Sequence, residues 1–234
     1  MKQIIALGGG GFSMEPENPL LDQYILRQSG KTKPKICFIP TASGDSETYT
    51  QRFYDFFEQQ DCSPTHLSLF KPPAGDLEEF VLAQDILYVG GGNTKNLLAL
   101  WKDWGLDAII RKAWEKGTVL AGISAGSLCW FEDGITDSYG DHLEPIHCLG
   151  FLAGSNCPHY DGEENRRPVY QRSIATQEIK GGIAADDGAA LHYIGTELHR
   201  IVSSRQAAKA YEVSYKEALQ EVELPVVYLG DQKG

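Results

Sequence analysis

A serine between glycines is the first place in this chain where covalent chemistry could occur. Gly122-Ile123-Ser124-Ala125-Gly126 follows the apolar run Thr118-Val119-Leu120-Ala121 and precedes Leu128-Cys129-Trp130-Phe131. Small residues on both sides of a serine let the chain turn sharply from strand to helix, which lifts the hydroxyl off the sheet edge and aims the next amide at a developing oxyanion. The pattern alone recurs by chance, and its place directly after a strand-like run gives it meaning. A serine that merely caps the following helix is the bland alternative. A second loop, Gly90-Gly91-Gly92-Asn93-Thr94-Lys95, follows Asp85-Ile86-Leu87-Tyr88-Val89. Its glycines permit close backbone approach, so its amides can supply a second oxyanion donor. It is not G-x-x-x-x-G-K-[ST] and has no matching acidic strand end for magnesium, which sets a phosphate cradle aside. Gly8 to Gly11 after the first apolar run is no dinucleotide loop either, since Ser13 replaces the last glycine and Pro16 and Pro19 follow where a helix should open.

A serine nucleophile needs a base within hydrogen-bond reach, usually histidine, and an acid to orient the ring. The chain has six histidines. His66 lies in the strand-like Thr65-His66-Leu67-Ser68-Leu69, and His192 and His199 lie in a late group of short strands, where packed or surface histidines are commoner than catalytic ones. His142, His147 and His159 follow the serine in loop-rich sequence. In Asn156-Cys157-Pro158-His159-Tyr160-Asp161 a proline fixes the backbone before His159 and polar residues follow, which puts this histidine ahead of the other two.

These residues need elements to hold them. Ile4-Ile5-Ala6-Leu7, Ile36-Cys37-Phe38-Ile39, Asp85 to Val89 and Thr118 to Ala121 are short, nearly continuous apolar runs ending at Gly or Pro, as in parallel strands covered on both faces. Helix formers fill residues 46–60, 94–116, 125–132 and 163–177. The pattern predicts an α/β fold, a three-layer sandwich around a mostly parallel sheet. Gly182 to Ala185, Ala189 to Ile194 and His199 to Val202, separated by Asp-Asp-Gly and Gly-Thr-Glu turns, predict antiparallel C-terminal strands appended to that sheet. Residues 207–211 and 225–229 are expected to add an edge pair. In such sheets ligands collect beyond the carboxyl ends of the strands, where both glycine-bearing loops fall.

Gly90-Gly91-Gly92-Asn93-Thr94, then Gly122-Ile123-Ser124-Ala125-Gly126-Ser127, then Pro158-His159-Tyr160 resemble, in order and spacing, the successive motifs of the peptidase E (aspartyl dipeptidase) family of serine peptidases, which also includes cyanophycinases. The likeness runs from the first strand to the Asp-Asp-Gly turn. It implies a class I glutamine amidotransferase-like fold with Ser in place of Cys, a Ser-His-acid triad, and cleavage of small peptides after an acidic residue. By motif position Ser124 is the nucleophile, His159 the general base, and the backbone of Gly91 or Gly92 with that of Ala125 the oxyanion hole. The family places its acid between serine and histidine, where Glu132, Asp133, Asp137 and Asp141 all qualify. Glu132 is favoured, because eight residues of helix put it about 12 Å past Ser124 at the end of an apolar stretch that would hold it. Asp137, past the Gly134 turn, is the alternative, and a solvated acidic loop competes with both. For an acidic substrate side chain the resemblance points to Arg166, Arg167 and Arg172, with Asn93 as a further substrate contact.

Composition bounds the rest. The 234 residues carry 21 Lys+Arg against 32 Asp+Glu, a net charge of −11, which excludes a nucleic-acid backbone as partner. No run approaches the ~20 apolar residues of a membrane span, and no targeting segment is evident, so the cytoplasm is expected. Five cysteines without a C-x-x-C pair predict reduced thiols and no metal site, and no cofactor is implied. The length fits a single domain over residues 1–234, with a homodimer left open. The expected partner is a small peptide. Two other readings stay open: an acyl hydrolase acting on esters or on a longer acidic polymer such as cyanophycin, and a non-catalytic binding module on the same fold.

Overall fold

A computed structural model describes residues 1–71 and 75–231. Its strands are β1 (Gln3–Leu7), β2 (Lys35–Ile39), β3 (Ser63–His66), β4 (Ile86–Val89), β5 (Val119–Ile123), β6 (Phe131–Thr136), β7 (Glu144–His147), β8 (Leu152–Cys157), β9 (Gly182–Ala185), β10 (Ala189–Ile194), β11 (Glu197–Ser203), β12 (Ala210–Tyr215), β13 (Leu219–Leu224) and β14 (Val227–Tyr228). Its helices are α1 (Gly11–Met14), α2 (Leu20–Gln28), α3 (Glu47–Phe57), α4 (Leu77–Leu82), α5 (Thr94–Trp104), α6 (Leu106–Lys116), α7 (Ala125–Leu128) and α8 (Arg166–Ala175).

The continuous apolar runs are buried on both faces because two separate hydrophobic clusters take alternate residues of each strand. Ile4 and Ala6 of β1, Cys37 and Ile39 of β2, and Leu87 and Val89 of β4 join Val81, Leu97, Trp101, Ile110 and Trp114 from α4 to α6. Ile5 and Leu7, Ile36 and Phe38, and Ile86 and Tyr88 point the other way, onto Phe12, Leu21, Ile25, Phe53 and Phe57 from α1 to α3. Sheet between two helical layers is the expected sandwich. The first sheet runs β14-β11-β10-β1-β5-β4-β2-β3, parallel from β1 to β3 and antiparallel where β10 meets β1.

Four expectations about the elements are corrected. The helix over 94–116 is two helices, α5 and α6, joined at Gly105 with φ 65°, a left-handed position that glycine takes without strain. The helix over 125–132 stops after four residues. Cys129 and Trp130 turn and Phe131 opens β6 of a second sheet, the Trp130 carbonyl accepting from the Phe151 and Leu152 amides at 2.8 and 2.9 Å. This sheet, ordered β13-β12-β9-β8-β6-β7, packs α8 through Ile135, Cys157, Tyr170, Ile174 and Val213. The C-terminal strands are shared between sheets: β9 belongs to the second, β10 and β11 to the first, and the chain crosses at Asp186-Asp187-Gly188. Residues 207–211 and 225–229 form no pair, since β12 lies between β9 and β13 while β14 borders β11.

Asp22 on α2 is fully buried near Tyr88, and burial pushes its carboxyl up to about 7. The native state thus holds a proton that the unfolded chain releases near pH 4. The stability this contributes is complete below that pH and is lost as the pH rises through about 7. Asp22→Asn is expected to flatten the dependence, so that the stability read from urea unfolding falls by about 2.5 kcal/mol between pH 5 and pH 8 in the parent and much less in the variant. Parallel pH dependences in the two proteins would contradict this account.

Candidate active site

Ser124 lies between the end of β5 and the first residue of α7 with φ 56° and ψ −113°, a strained backbone for a residue with a side chain. The elbow needs its glycine, because a Cβ on Gly126 would stand 2.2 Å from the Val89 carbonyl oxygen. The Ser124 amide donates to the Leu7 carbonyl at 3.3 Å. Ala125 is the first residue of α7, so its amide, next to the serine in the chain, has no partner within the helix.

His159 follows β8 and is likewise left-handed, with φ 56°. Its amide donates to the Gly8 carbonyl at 3.0 Å, one residue beyond the carbonyl that holds Ser124. Its Nδ1 meets Asp187 Oδ1 at 2.6 Å, with only 13% of the histidine side chain and 18% of the aspartate side chain exposed. This bond occupies Nδ1 and leaves Nε2 as the nitrogen that can serve a hydroxyl. Asp187 is held in turn by its own amide on Asp161 Oδ1 at 2.8 Å and by Gly188, whose amide donates to the Gly9 carbonyl at 3.1 Å. A Cβ on Gly9 would lie 2.0 Å from Asp187 Oδ1, so the strand exit must be glycine for the acid to sit there.

The Gly90-Gly91-Gly92 loop closes the other side. A Cβ on Gly91 would be 3.2 Å from Ser124 Cβ and 3.8 Å from its Oγ, which places the loop directly over the serine. The Gly91 amide donates to the Tyr49 hydroxyl at 3.4 Å. Gly92 is pressed against the Ala42 carbonyl with φ 136°.

The sequence profile of Peptidase family S51 matches residues 4–201. The chain belongs to this family. A Bacillus subtilis (strain 168) protein described as the uncharacterized peptidase YgaJ is 62% identical over 231 residues, 98% of this chain and all of that one. A Listeria monocytogenes EGD-e protein, the uncharacterized peptidase Lmo0363, is 26% identical over 151 residues, 61% of this chain and 72% of its own. Among solved structures, a peptidase from an acI-B1 Actinobacterium superposes with TM-score 0.68 at 18% identity, covering 95% of this chain and 94% of the other. A provisionally assigned peptidase E protein from Listeria monocytogenes EGD-e superposes with TM-score 0.57 at 18% identity, covering 96% and 100%. At that identity the two structures support the peptidase E-like fold alone. Membership in S51 puts the chain among serine-type peptidases, which are hydrolases.

For an S51 member the position of the acid is the main departure from expectation. The carboxylate on His159 is Asp187, and neither Glu132 nor Asp137 touches the ring. Glu132 does not end a helix; it lies on β6, where its carboxylate accepts from the Gly154 amide at 2.7 Å and from Lys180 Nζ at 2.9 Å, bonds that lower its proton affinity. Asp137 lies beyond β6 in an open groove with Asp141, His142, Glu164 and Arg172. The other histidines are spoken for differently. His142 pairs with Glu144 at 2.6 Å, and His147 pairs with Asp133 at 2.6 Å but is 87% exposed. His66 bonds Tyr54, and His192 is buried between Tyr24 and Gln3, its proton affinity pushed down to about 4 chiefly by that burial.

The expected substrate contacts scatter too. Asn93 caps α5 through the Asn96 amide at 2.8 Å and donates to the Ser138 carbonyl at 3.1 Å. Arg166 is buried on Glu163 and the Ile135 carbonyl, Arg167 bonds Glu221 and lies over the rings of Tyr160 and Tyr211, and Arg172 is exposed in the groove with Asp137. The cation beside Asp187 is Arg205, which no sequence pattern singled out. Among the described residues no helix is long and apolar enough to cross a membrane, and no group of three or more His, Cys, Asp or Glu is placed to hold a metal.

The strain at Ser124 has a measurable consequence. At an ordinary position glycine is less stable than alanine by about 0.5–1 kcal/mol. At position 124 the order is expected to invert, Ser124→Gly exceeding Ser124→Ala by about 1 kcal/mol in chemical denaturation, because only glycine takes φ 56° freely. A Gly variant less stable than the Ala variant would show that the backbone there is unstrained.

Proposed function

We propose that this chain is a dipeptidase-like serine hydrolase of small peptides that works through Ser124, His159 and Asp187. The observation that carries the reading is the 2.6 Å His159–Asp187 bond at the exit of β1, beside a serine held on the neighbouring carbonyl. Asp187 on Nδ1 fixes the ring tautomer and stabilises the imidazolium, so that Nε2 takes the Ser124 proton as the hydroxyl attacks the peptide carbonyl. The tetrahedral oxyanion is received by the Ala125 amide and by the Gly92 amide, Gly91 having its own on Tyr49. His159 then returns the proton to the leaving amine, and water repeats the sequence on the acyl-enzyme. Free thiols at Cys37, Cys62, Cys129, Cys148 and Cys157 suit a reducing compartment, in keeping with work in the cytoplasm.

Wild type and Ser124→Ala are to be compared on a panel of Asp-X, Glu-X and neutral dipeptides with a short ester beside them. Hydrolysis of at least one dipeptide, lost in Ser124→Ala, is expected; equal residual turnover in both proteins would sink the reading, and ester turnover without peptide turnover would favour a general acyl hydrolase. On the cleaved substrate Asp187→Asn is expected to lower kcat by about three to four orders of magnitude, as loss of the orienting acid does elsewhere. Glu132→Gln and Asp137→Asn should leave kcat within about threefold. A large loss on Glu132→Gln with little on Asp187→Asn would return the acid to β6.

A further inference from the structure

Arg205, in the turn between β11 and β12, gathers three segments that the candidate active site depends on. Its Nη2 donates to the Asp187 main-chain carbonyl. The same nitrogen lies 3.4 Å from Asp161 Oδ2, and Nε lies 3.4 Å from Glu15 Oε1. Glu15 is fixed from its other oxygen by Ser204 Oγ at 2.7 Å, and the Ser204 amide donates to the Gly188 carbonyl at 2.8 Å. Glu15 follows the glycine-rich exit of β1, Asp161 stands two residues after His159, and Asp187 is the histidine's partner. One guanidinium therefore spans the loops that carry the base, its acid and the strand end on which both rest.

The charge around the imidazole is lopsided. Asp187 bonds the ring from the turn before β10, Asp161 accepts from the Asp187 amide, Asp186 stands next to Asp187 in that turn, and Glu15 lies across Arg205 from them. Asp186 is buried, and burial pushes its carboxyl up to about 6, with Asp161 adding to the rise and Arg205 and Arg167 opposing it. Arg167 is already bound to Glu221. Arg205 is the cation that touches Asp161, Asp187 and Glu15 together.

We propose that Arg205 is a positioning residue for His159 and Asp187. It holds the Asp187 turn by its carbonyl, which keeps the carboxylate on Nδ1, and it offsets the carboxylates gathered at that turn. The inference rests on the catalytic roles given above to Ser124, His159 and Asp187. Removing a cation beside an imidazole favours the imidazolium, whereas removing an anion disfavours it. Arg205→Gln and Asp161→Asn should therefore move the protonation of His159 in opposite directions, which damage to packing would not do.

The test uses the full chain as wild type, Arg205→Gln, Arg205→Lys and Asp161→Asn. One readout is the pH dependence of kcat/KM on the cleaved dipeptide; the other is the NMR titration of the His159 ring, assigned with His159→Gln. In Arg205→Gln the acidic limb and the titration midpoint are expected to move up by about half a pH unit at low salt and by less at high salt, as for one partly screened charge. The same variant should lose about tenfold in kcat with KM little changed. Arg205→Lys should restore the midpoint and only part of kcat, because an ammonium keeps the charge without the fork. Asp161→Asn should move the midpoint down. An unmoved midpoint in Arg205→Gln, or shifts of the same sign in both charge variants, would overturn the role of Arg205. Opposite NMR shifts in a protein without Ser124-dependent turnover would confirm the electrostatic arrangement and overturn the catalytic reading instead.

Discussion

Three consecutive carbonyls at the exit of β1 organise the site. Leu7 accepts from the Ser124 amide, Gly8 from the His159 amide and Gly9 from the Gly188 amide, at 3.3, 3.0 and 3.1 Å. The serine arrives from the first sheet, the histidine from the second, and the acid from the crossing between them. Segments far apart in sequence are thus placed by one short piece of backbone. Main-chain bonds of this kind do not depend on which side chains surround them, so the constellation is set by the pairing of β1 with β5 and β10. Side-chain packing then needs only to keep β1 straight and buried, which the alternating clusters above and below it do.

The same strand end explains where strain is stored. Among the described residues, Ser124 and His159 are two of the four non-glycine residues with left-handed φ, and both donate to carbonyls at the exit of β1. Each such residue costs on the order of 1–3 kcal/mol, and it persists only where its surroundings over-determine it. Here they do: the loop glycines leave no room for a relaxed alternative, since side chains on Gly9 or Gly126 would collide with Asp187 or with the Val89 carbonyl. A rigid elbow and a rigid histidine loop reduce the reorganisation that the transition state would otherwise demand.

Much of this was legible in the sequence, and the failures have physical causes. Continuous apolar runs gave β1, β2, β4 and β5 because burial on both faces removes polar residues from such strands. The serine elbow and His159 were readable because small residues and a proline restrict the backbone locally. Asp187 was not, because Asp-Asp-Gly is equally good turn chemistry and nothing local says that the turn spans two sheets. Glu132 misled for the complementary reason: Leu128-Cys129-Trp130-Phe131 has helix-compatible composition, yet the helix ends at Leu128 and pairing with Leu152 makes Phe131 and Glu132 the start of a strand. Gly8 to Gly11 look in the sequence only like a broken nucleotide loop. Gly8 and Gly9 are glycines because Asp186 and Asp187 pack onto them, a long-range contact that no window of sequence contains.

The charge balance of the chain acquires a local meaning from this arrangement. A net charge of −11 spread over a surface has little say in chemistry, since exposed charges are screened within about 10 Å in ordinary salt. The carboxylate of Asp187 is different, being largely buried and bonded to the ring that takes up the serine proton in the proposed mechanism. In the proposed mechanism carboxylates beside the ring stabilise its imidazolium as the serine loses its proton, whereas too strong a field would hold any imidazole as imidazolium at rest. A site with only carboxylates would resolve that conflict badly. In the role proposed for Arg205, a single guanidinium bound to the Asp187 carbonyl, and exposed enough to be partly screened, moderates that field. The acidity that at first only excluded nucleic acid thus becomes, at this one place, a quantity the fold has to balance.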